Sequence, residues 1–227
     1  MVKNSESGNT SALKQIGASP RWVRWICGAP GVALAFVWGL AEATFFFVVP
    51  DVIISLAAML RPRRAWRHLV ASLAGAIIGG LCMFLWGAHD AKHAVETVGR
   101  VPFVTHAMIQ HVEDSYQHQG VVALLLGPLS GTPYKIYAVE APRFQSLAGF
   151  LWASIPARGE RFVLVLLGFA GLGVLLRKIG RPEARFAIWH ATIWIVFYAL
   201  YWGRIGSSRQ FATRPERTLG NAQHLRS

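Results

Sequence analysis

Acidic residues are scarce in this chain: 11 Asp and Glu stand against 23 Lys and Arg, and charged residues make up only 15% of its 227 positions. A soluble domain is ~25% charged, so a large solvated surface is not expected. Cysteine is limited to Cys27 and Cys82, both inside apolar stretches. This excludes a disulfide framework and a cysteine-built metal site, and both thiols are expected to pack in the core. No phosphate-binding glycine loop, nucleophile elbow or cysteine pair occurs, so nothing points to an enzyme or to a resident cofactor. No secretory leader is expected, because residues 1–20 are polar and lack an apolar core with a cleavage pattern. They are expected to form a flexible lead.

What is abundant is apolar. The chain is 53% hydrophobic, with a mean hydropathy of +0.37, nine Trp and thirteen Phe. Long blocks with few or no charges occupy 26–60, 69–88, 120–138, 162–176 and 186–203. Their lengths match a bilayer better than a soluble core. Basic residues gather at the block edges, as Arg61, Arg63, Arg64 and Arg67 or Arg177, Lys178, Arg181 and Arg185. That placement fits topology signals and contact with anionic headgroups; no basic–aromatic stripe argues for nucleic acid.

Residues 69–88 give one uncharged span, and Gly75 and Gly79 have the small-xxx-small spacing of a close helix contact. Residues 160–178 run from Glu160 to Arg177 and Lys178 before Gly180 and Pro182, in keeping with a helix dipole and a stop. A C-terminal span is expected at 186–203, followed by a basic tail at 204–227. The block 26–60 is too long for one span and too short for two. A break at Pro50 leaves the ten-residue arm Asp51–Leu60, about 15 Å as a helix and half the hydrocarbon thickness. Basic residues flank both ends, so the economical path enters, turns near the midplane and returns. A second ten-residue apolar arm, 120–129, runs into breakers Pro128, Gly131 and Pro133. Two interrupted segments, each followed by a span, are the pattern of a repeat with a site at its interface.

The expected fold is therefore an all-α polytopic membrane protein. It holds an inverted repeat of two re-entrant hairpins, about 39–60 and 120–140, each followed by a transmembrane helix, plus an extra C-terminal helix. The membrane domain covers 21–180. This count puts the basic tail on the side opposite 61–67, against the positive-inside tendency.

Glu42 and Asp51 are the acids of the first hairpin. Burial of either charge is expensive, so they form a protonatable pair at a polar cavity, or else Glu42 lies at an interface and Asp51 caps a helix. Lys135 falls near the second tip as counter-charge or anion ligand, or snorkels to the interface. Arg158 and Arg161, in "SIPARGERF", lie at the mouth of a helix. They either anchor the interface or bind a phosphate headgroup through their planar guanidinium groups. Five of eight histidines fall in 89–118, with His89 and His93 at i, i+4. No third ligand is fixed by spacing, so exposed imidazoles on a surface helix are expected and no metal.

The stretches "WGLAEATFFFVVPDVIIS", "GAIIGGLCMFLWG", "TPYKIYAVEA" and "IPARGERFV" together resemble the DedA family, also described as the SNARE-associated or VTT domain, and within it the YqaA-like branch. The resemblance covers roughly residues 33–178. It implies two facing re-entrant hairpins in a helical bundle of the bacterial inner membrane, and a role in moving phosphate-bearing lipids with proton coupling. Glu42 and Asp51 match the family's hairpin acids. Many members carry an Arg-Phe-x-Pro-x-x-Arg-like run near the second hairpin, where this chain has Ser130-Gly131-Thr132-Pro133-Tyr134-Lys135-Ile136. Both arginines are missing, and Lys135 is the nearby base. The partners implied are membrane lipids, with further copies of the chain left open. The alternative expectation is a non-transporting interaction or assembly factor of the envelope, in which the polar residues only hold helices together.

Overall fold

The computed structural model describes residues 20–127, 131–182 and 184–212, which are helical with no strand among them. In chain order the helices are α1 (Arg21–Ile26), α2 (Ala29–Thr44), α3 (Asp51–Leu60), α4 (Pro62–His89), α5 (Ala91–Gly99), α6 (His106–Gln119), α7 (Val122–Leu126), α8 (Tyr134–Glu140), α9 (Leu147–Lys178) and α10 (Ala184–Ala212). The expected lead (apart from residue 20), Pro128 and residues 213–227 of the tail lie outside the described residues.

Local chemistry sets most of these limits. Proline occupies the first turn of α2 and α4, where its missing N–H leaves no orphan. Asp90, Thr105 and Ser146 accept from the backbone N–H groups of His93, Met108 and Gly149 at 3.0, 3.2 and 3.2 Å, capping α5, α6 and α9. Gly180, at φ +72°, ends α9. There the Arg181 N–H reaches the Leu176 carbonyl at 2.9 Å and the Gly180 N–H reaches Arg177 at 3.0 Å, which is a Schellman closure.

Helices α4 and α9, 28 and 32 residues long, are apolar and long enough to cross a membrane. Helix α4 is the spine on which both interrupted segments lie. A Cβ at Gly75 would strike the backbone of Phe36 and Leu40, and one at Gly39 would strike that of Ser72. Gly79 sits equally close to Leu40 and Ala43. The expected close contact is therefore present, and it joins α4 to α2. Farther along α4, Gly80 makes room for the Tyr134 ring and Gly87 for the Val139 carbonyl, so α8 packs on the same helix. All seven residues of α8 are buried. The main core gathers Met83, Phe84, Tyr134, Tyr137 and Phe150, with Phe84 and Phe150 stacked at 5.2 Å. Helix α3 meets α9 where Gly173 abuts the Met59 backbone and Arg177 donates to the Met59 carbonyl at 2.8 Å. Outward faces remain apolar, with Trp66, Val70 and Leu85 exposed on α4 and Trp152, Leu164 and Leu167 on α9. Helix α10 from Ile188 onward belongs to a second unit, with Trp194, Phe197, Tyr198 and Tyr201 in mutual ring contact.

The sequence of helix, break, helix and long helix thus occurs twice, but unequally. Asp51–Leu60 is the ten-residue helix that Pro50 implied. In the second arm, 120–129, Gly120 at φ +56° separates α6 from α7, whose helix starts only at Val122, and residues 128 and 129 lie outside the described residues. The helix expected to begin at Glu160 begins at Leu147 and runs through Pro156. An internal proline removes one hydrogen bond, and the buried packing of Phe150, Ala153, Ser154, Ala157 and Arg158 overrides it. Helix α10 reaches Ala212, so the first residues assigned to the tail are helical. Cys27 is buried as expected but Cys82 is exposed, because it lies on the outward face of α4. His89 and His93 do not share a helix: Asp90 breaks the chain between α4 and α5, and no group of three metal-type ligands forms among the described residues.

Candidate functional site

After Thr44 the chain doubles back along α2. Trp38 stands six residues before the helix end, about 9 Å of rise, yet its indole N–H donates to the Val48 carbonyl at 2.9 Å. This folded-back break, 45–50, delivers Pro50 and starts α3 with Asp51. Glu42 and Asp51 thereby face the same interior, 4% and 2% exposed. Asp51 does not cap α3 with its side chain.

Both acids meet arginines of α9. Arg158 donates to Glu42 Oε2, with both side chains buried. Arg161, a quarter exposed, donates to Asp51 Oδ2 through Nε at 2.7 Å and through a terminal nitrogen. Residues 158 and 161 are three apart, which places them on one helix face. They sit inside α9, not at its mouth, since the helix starts eleven residues before Arg158. Burial also rules out simple interfacial anchoring for Arg158.

The second break supplies the remaining wall. Gly131, at φ +81°, turns the chain and Pro133 precedes α8. Tyr134 and Lys135 follow, 1% and 2% exposed. The Tyr134 hydroxyl donates to Ser154 Oγ at 2.8 Å, and its ring lies under the Arg158 guanidinium at 4.9 Å. Phe162 covers Arg158 at 5.1 Å. Such stacking favours a guanidinium over an ammonium. Lys135 Nζ donates to the Phe46 carbonyl at 2.6 Å, joining the second break directly to the first. It is a buried lysine and does not snorkel.

The five predicted charged residues therefore form one cluster, with Pro50, Gly131 and Pro133 shaping its approaches. Two carboxylates meet three cations, and among the described residues no carboxylate forms an ion pair with Lys135. Within the cluster, two buried polar atoms lack a hydrogen-bond partner among the described residues: Arg158 Nε and Asp51 Oδ1. The arrangement can hold an anion, and it can exchange one anionic partner of an arginine for another. Sequence reasoning did not pair Glu42 with Arg158 or Asp51 with Arg161. The available signal was that two acids and two arginines stand within apolar stretches, where each charge needs an opposite one. Tyr134, Ser154 and the Phe46 carbonyl carried no signal, because their roles depend on chain reversals. No family model matches this chain, and no curated protein and no solved structure does either.

Proposed function

We propose that the chain is a DedA-type transporter or scramblase of phosphate-bearing lipids in a bacterial cytoplasmic membrane. The observation that carries the reading is the buried cluster of Glu42, Asp51, Arg158, Arg161 and Lys135 assembled where the two helix breaks meet. Helices α4 and α9 then span the bilayer, with their exposed aliphatic faces against lipid. Helices α2 and α3, about 24 and 15 Å long, are both shorter than the ~30 Å hydrocarbon core. They suit a re-entrant hairpin whose irregular tip is buried in protein, the condition under which such backbone is tolerated at membrane depth. Residues 61–64 and 90 stand at opposite ends of α4, about 42 Å apart. That separation suits the inverted arrangement.

In this mechanism an anionic phosphate replaces a carboxylate as the partner of Arg158 or Arg161. The displaced carboxylate of Glu42 or Asp51 takes up a proton, so the charge of the cluster is unchanged. Arg158 Nε is the donor left for the incoming oxygen, and Lys135 supplies the surplus positive charge. When the lipid leaves, the carboxylate releases its proton and pairs again. Headgroup-labelled phospholipid crossing in liposomes holding only this protein tests the reading. Crossing faster than in empty vesicles under a proton gradient is expected, and equal rates would sink it.

A second reading has a specific observation in its favour: both acids already have arginine partners, as in a cluster that only joins helices. An assembly factor of that kind loses folding or partner capture when Lys135 is replaced by Met. The transporter stays folded and loses crossing.

A further inference from the structure

The two carboxylate–arginine pairs of the buried cluster differ in how firmly their surroundings hold them. Arg158 is 2% exposed and continues a column of aromatic rings. Phe84 stacks on Phe150 at 5.2 Å and Phe150 on Tyr134 at 6.0 Å. The Arg158 guanidinium then lies 4.9 Å from the Tyr134 ring centroid and 5.1 Å from that of Phe162. Tyr134, Phe150 and Phe162 are themselves fully buried. The Tyr134 hydroxyl is tied to Ser154, one turn before Arg158 on α9. Gly80 of α4 closes the space behind that ring, since a Cβ there would stand 2.3 Å from the hydroxyl. At interior packing density, a guanidinium so enclosed has no second rotamer unless the core opens. Arg161 stands one turn farther along the same face, and a quarter of its side chain is exposed. It can turn toward the surface with the core intact. Its partner Asp51 accepts both N–H groups on Oδ2, and Asp51 Oδ1 is buried without a hydrogen-bond partner. Arg158 of α9 and Glu42 of α2 are the further charged neighbours of Asp51 among the described residues.

Taking the cluster as an anion site, as the proposed transport requires, we infer that anion exchange is confined to the Arg161–Asp51 pair and that Tyr134 is the positioning residue that keeps Arg158 on Glu42 throughout. A phosphate oxygen takes over the N–H groups of Arg161, and Asp51 accepts one proton from the water phase at Oδ1. When the phosphate leaves, that proton returns to water and Asp51 accepts from Arg161 again. Glu42 stays ionised, and Arg158 offers the incoming group only its Nε. Inorganic phosphate and a lipid phosphodiester present the same oxygens to Arg161.

Infrared difference spectra of the full chain in neutral detergent test this, with inorganic phosphate or short-chain phosphatidylglycerol added separately. A protonated carboxyl group has a C=O band that shifts in heavy water and that a carboxylate lacks. The parent should gain this band with at least one probe; phosphate alone marks a free anion, phosphatidylglycerol alone a headgroup, and each supports the exchange. Asp51→Asn should lose the band, whereas Glu42→Gln with Arg158→Met, which removes the enclosed pair together, should keep it. Tyr134→Leu, checked for folding by its melting temperature, frees Arg158, so adding it to Asp51→Asn should restore a band from Glu42. Tyr134→Phe keeps the ring and should restore none, a distinction that a merely structural tyrosine would not produce. Where Tyr134→Leu does not fold, Phe162→Leu removes the other ring for the same comparison. No band in the parent, a band that survives Asp51→Asn with Tyr134 in place, or no band once a ring is removed would overturn the inference. Liposome crossing separates the two proposals: an Asp51 band without crossing refutes transport alone, and crossing without that band refutes the exchange alone.

Discussion

The first interrupted segment, α2 through α3, delivers two carboxylates to the buried cluster, whereas the second, α7 through α8, delivers one ammonium group. Each carboxylate meets an arginine of α9, but Lys135 meets a backbone carbonyl of the other break. The lengths differ in the same sense. The first segment has helices of sixteen and ten residues, the second has five and seven. A repeated order of elements therefore does not mean equal contributions: the first segment is charge-balanced by its neighbour, and the second carries the surplus that an anion can use. Ion pairs at the two segments differ as well. Glu42–Arg158 is wholly buried, while Arg143 joins Glu140 and Glu113 at 2.9 and 2.8 Å with 47% of its side chain exposed.

The largest effect is expected from Arg158→Met, which leaves Glu42 buried without a partner. Loss of about 3–5 kcal/mol should appear as a lower melting temperature in detergent, and adding Glu42→Gln should recover most of it. A single variant as stable as the parent would break the contrast between paired and unpaired segments. Next come Gly75→Val and Gly87→Val, which press a side chain onto backbone of the first and second segment respectively. Each should cost about 1–3 kcal/mol; a large effect at only one would show that the segments depend unequally on α4. Lys135→Met removes the donor to Phe46 and should cost about 1 kcal/mol in melting experiments while abolishing lipid crossing. If crossing persists, the surplus charge has no function. The smallest change belongs to Arg143→Gln. Its guanidinium is held above its ordinary pKa by the hydrogen bond to Glu140 and then by Glu113; the exposed contact with Glu113 contributes under about 1 kcal/mol, and glutamine keeps an amide N–H that can still donate to the buried Glu140 carboxylate. Urea unfolding at low and high salt should show a difference only at low salt.

Much of the local architecture was legible. Pro50 closes the break before α3 because proline cannot continue the hydrogen-bond ladder of a preceding helix, and Asp51–Leu60 followed from it. Gly75 and Gly79 announced a close helix contact through their spacing, and Gly180 with Pro182 announced the end of α9. Pro156 misled, since packing on both sides of it outweighed one lost hydrogen bond. Gly120 misled too, because its positive φ turns the chain and the helix of that arm starts only at Val122. The candidate residues were found for a general reason: a charge within an apolar stretch has to be compensated wherever the chain folds. Which charge compensates which was not legible, since Glu42 and Arg158 lie 116 residues apart.

Composition, hydrophobic run length and the positions of proline and glycine determined that this chain is helical, apolar on its outer faces and twice interrupted. Those are properties of short windows, where backbone hydrogen bonding and side-chain hydration decide the outcome. Only the tertiary structure decided that both interruptions close on one cluster and that α9 supplies its arginines. These are Coulombic contacts between distant segments, and they exist only once the glycine faces of α4 have brought the helices together.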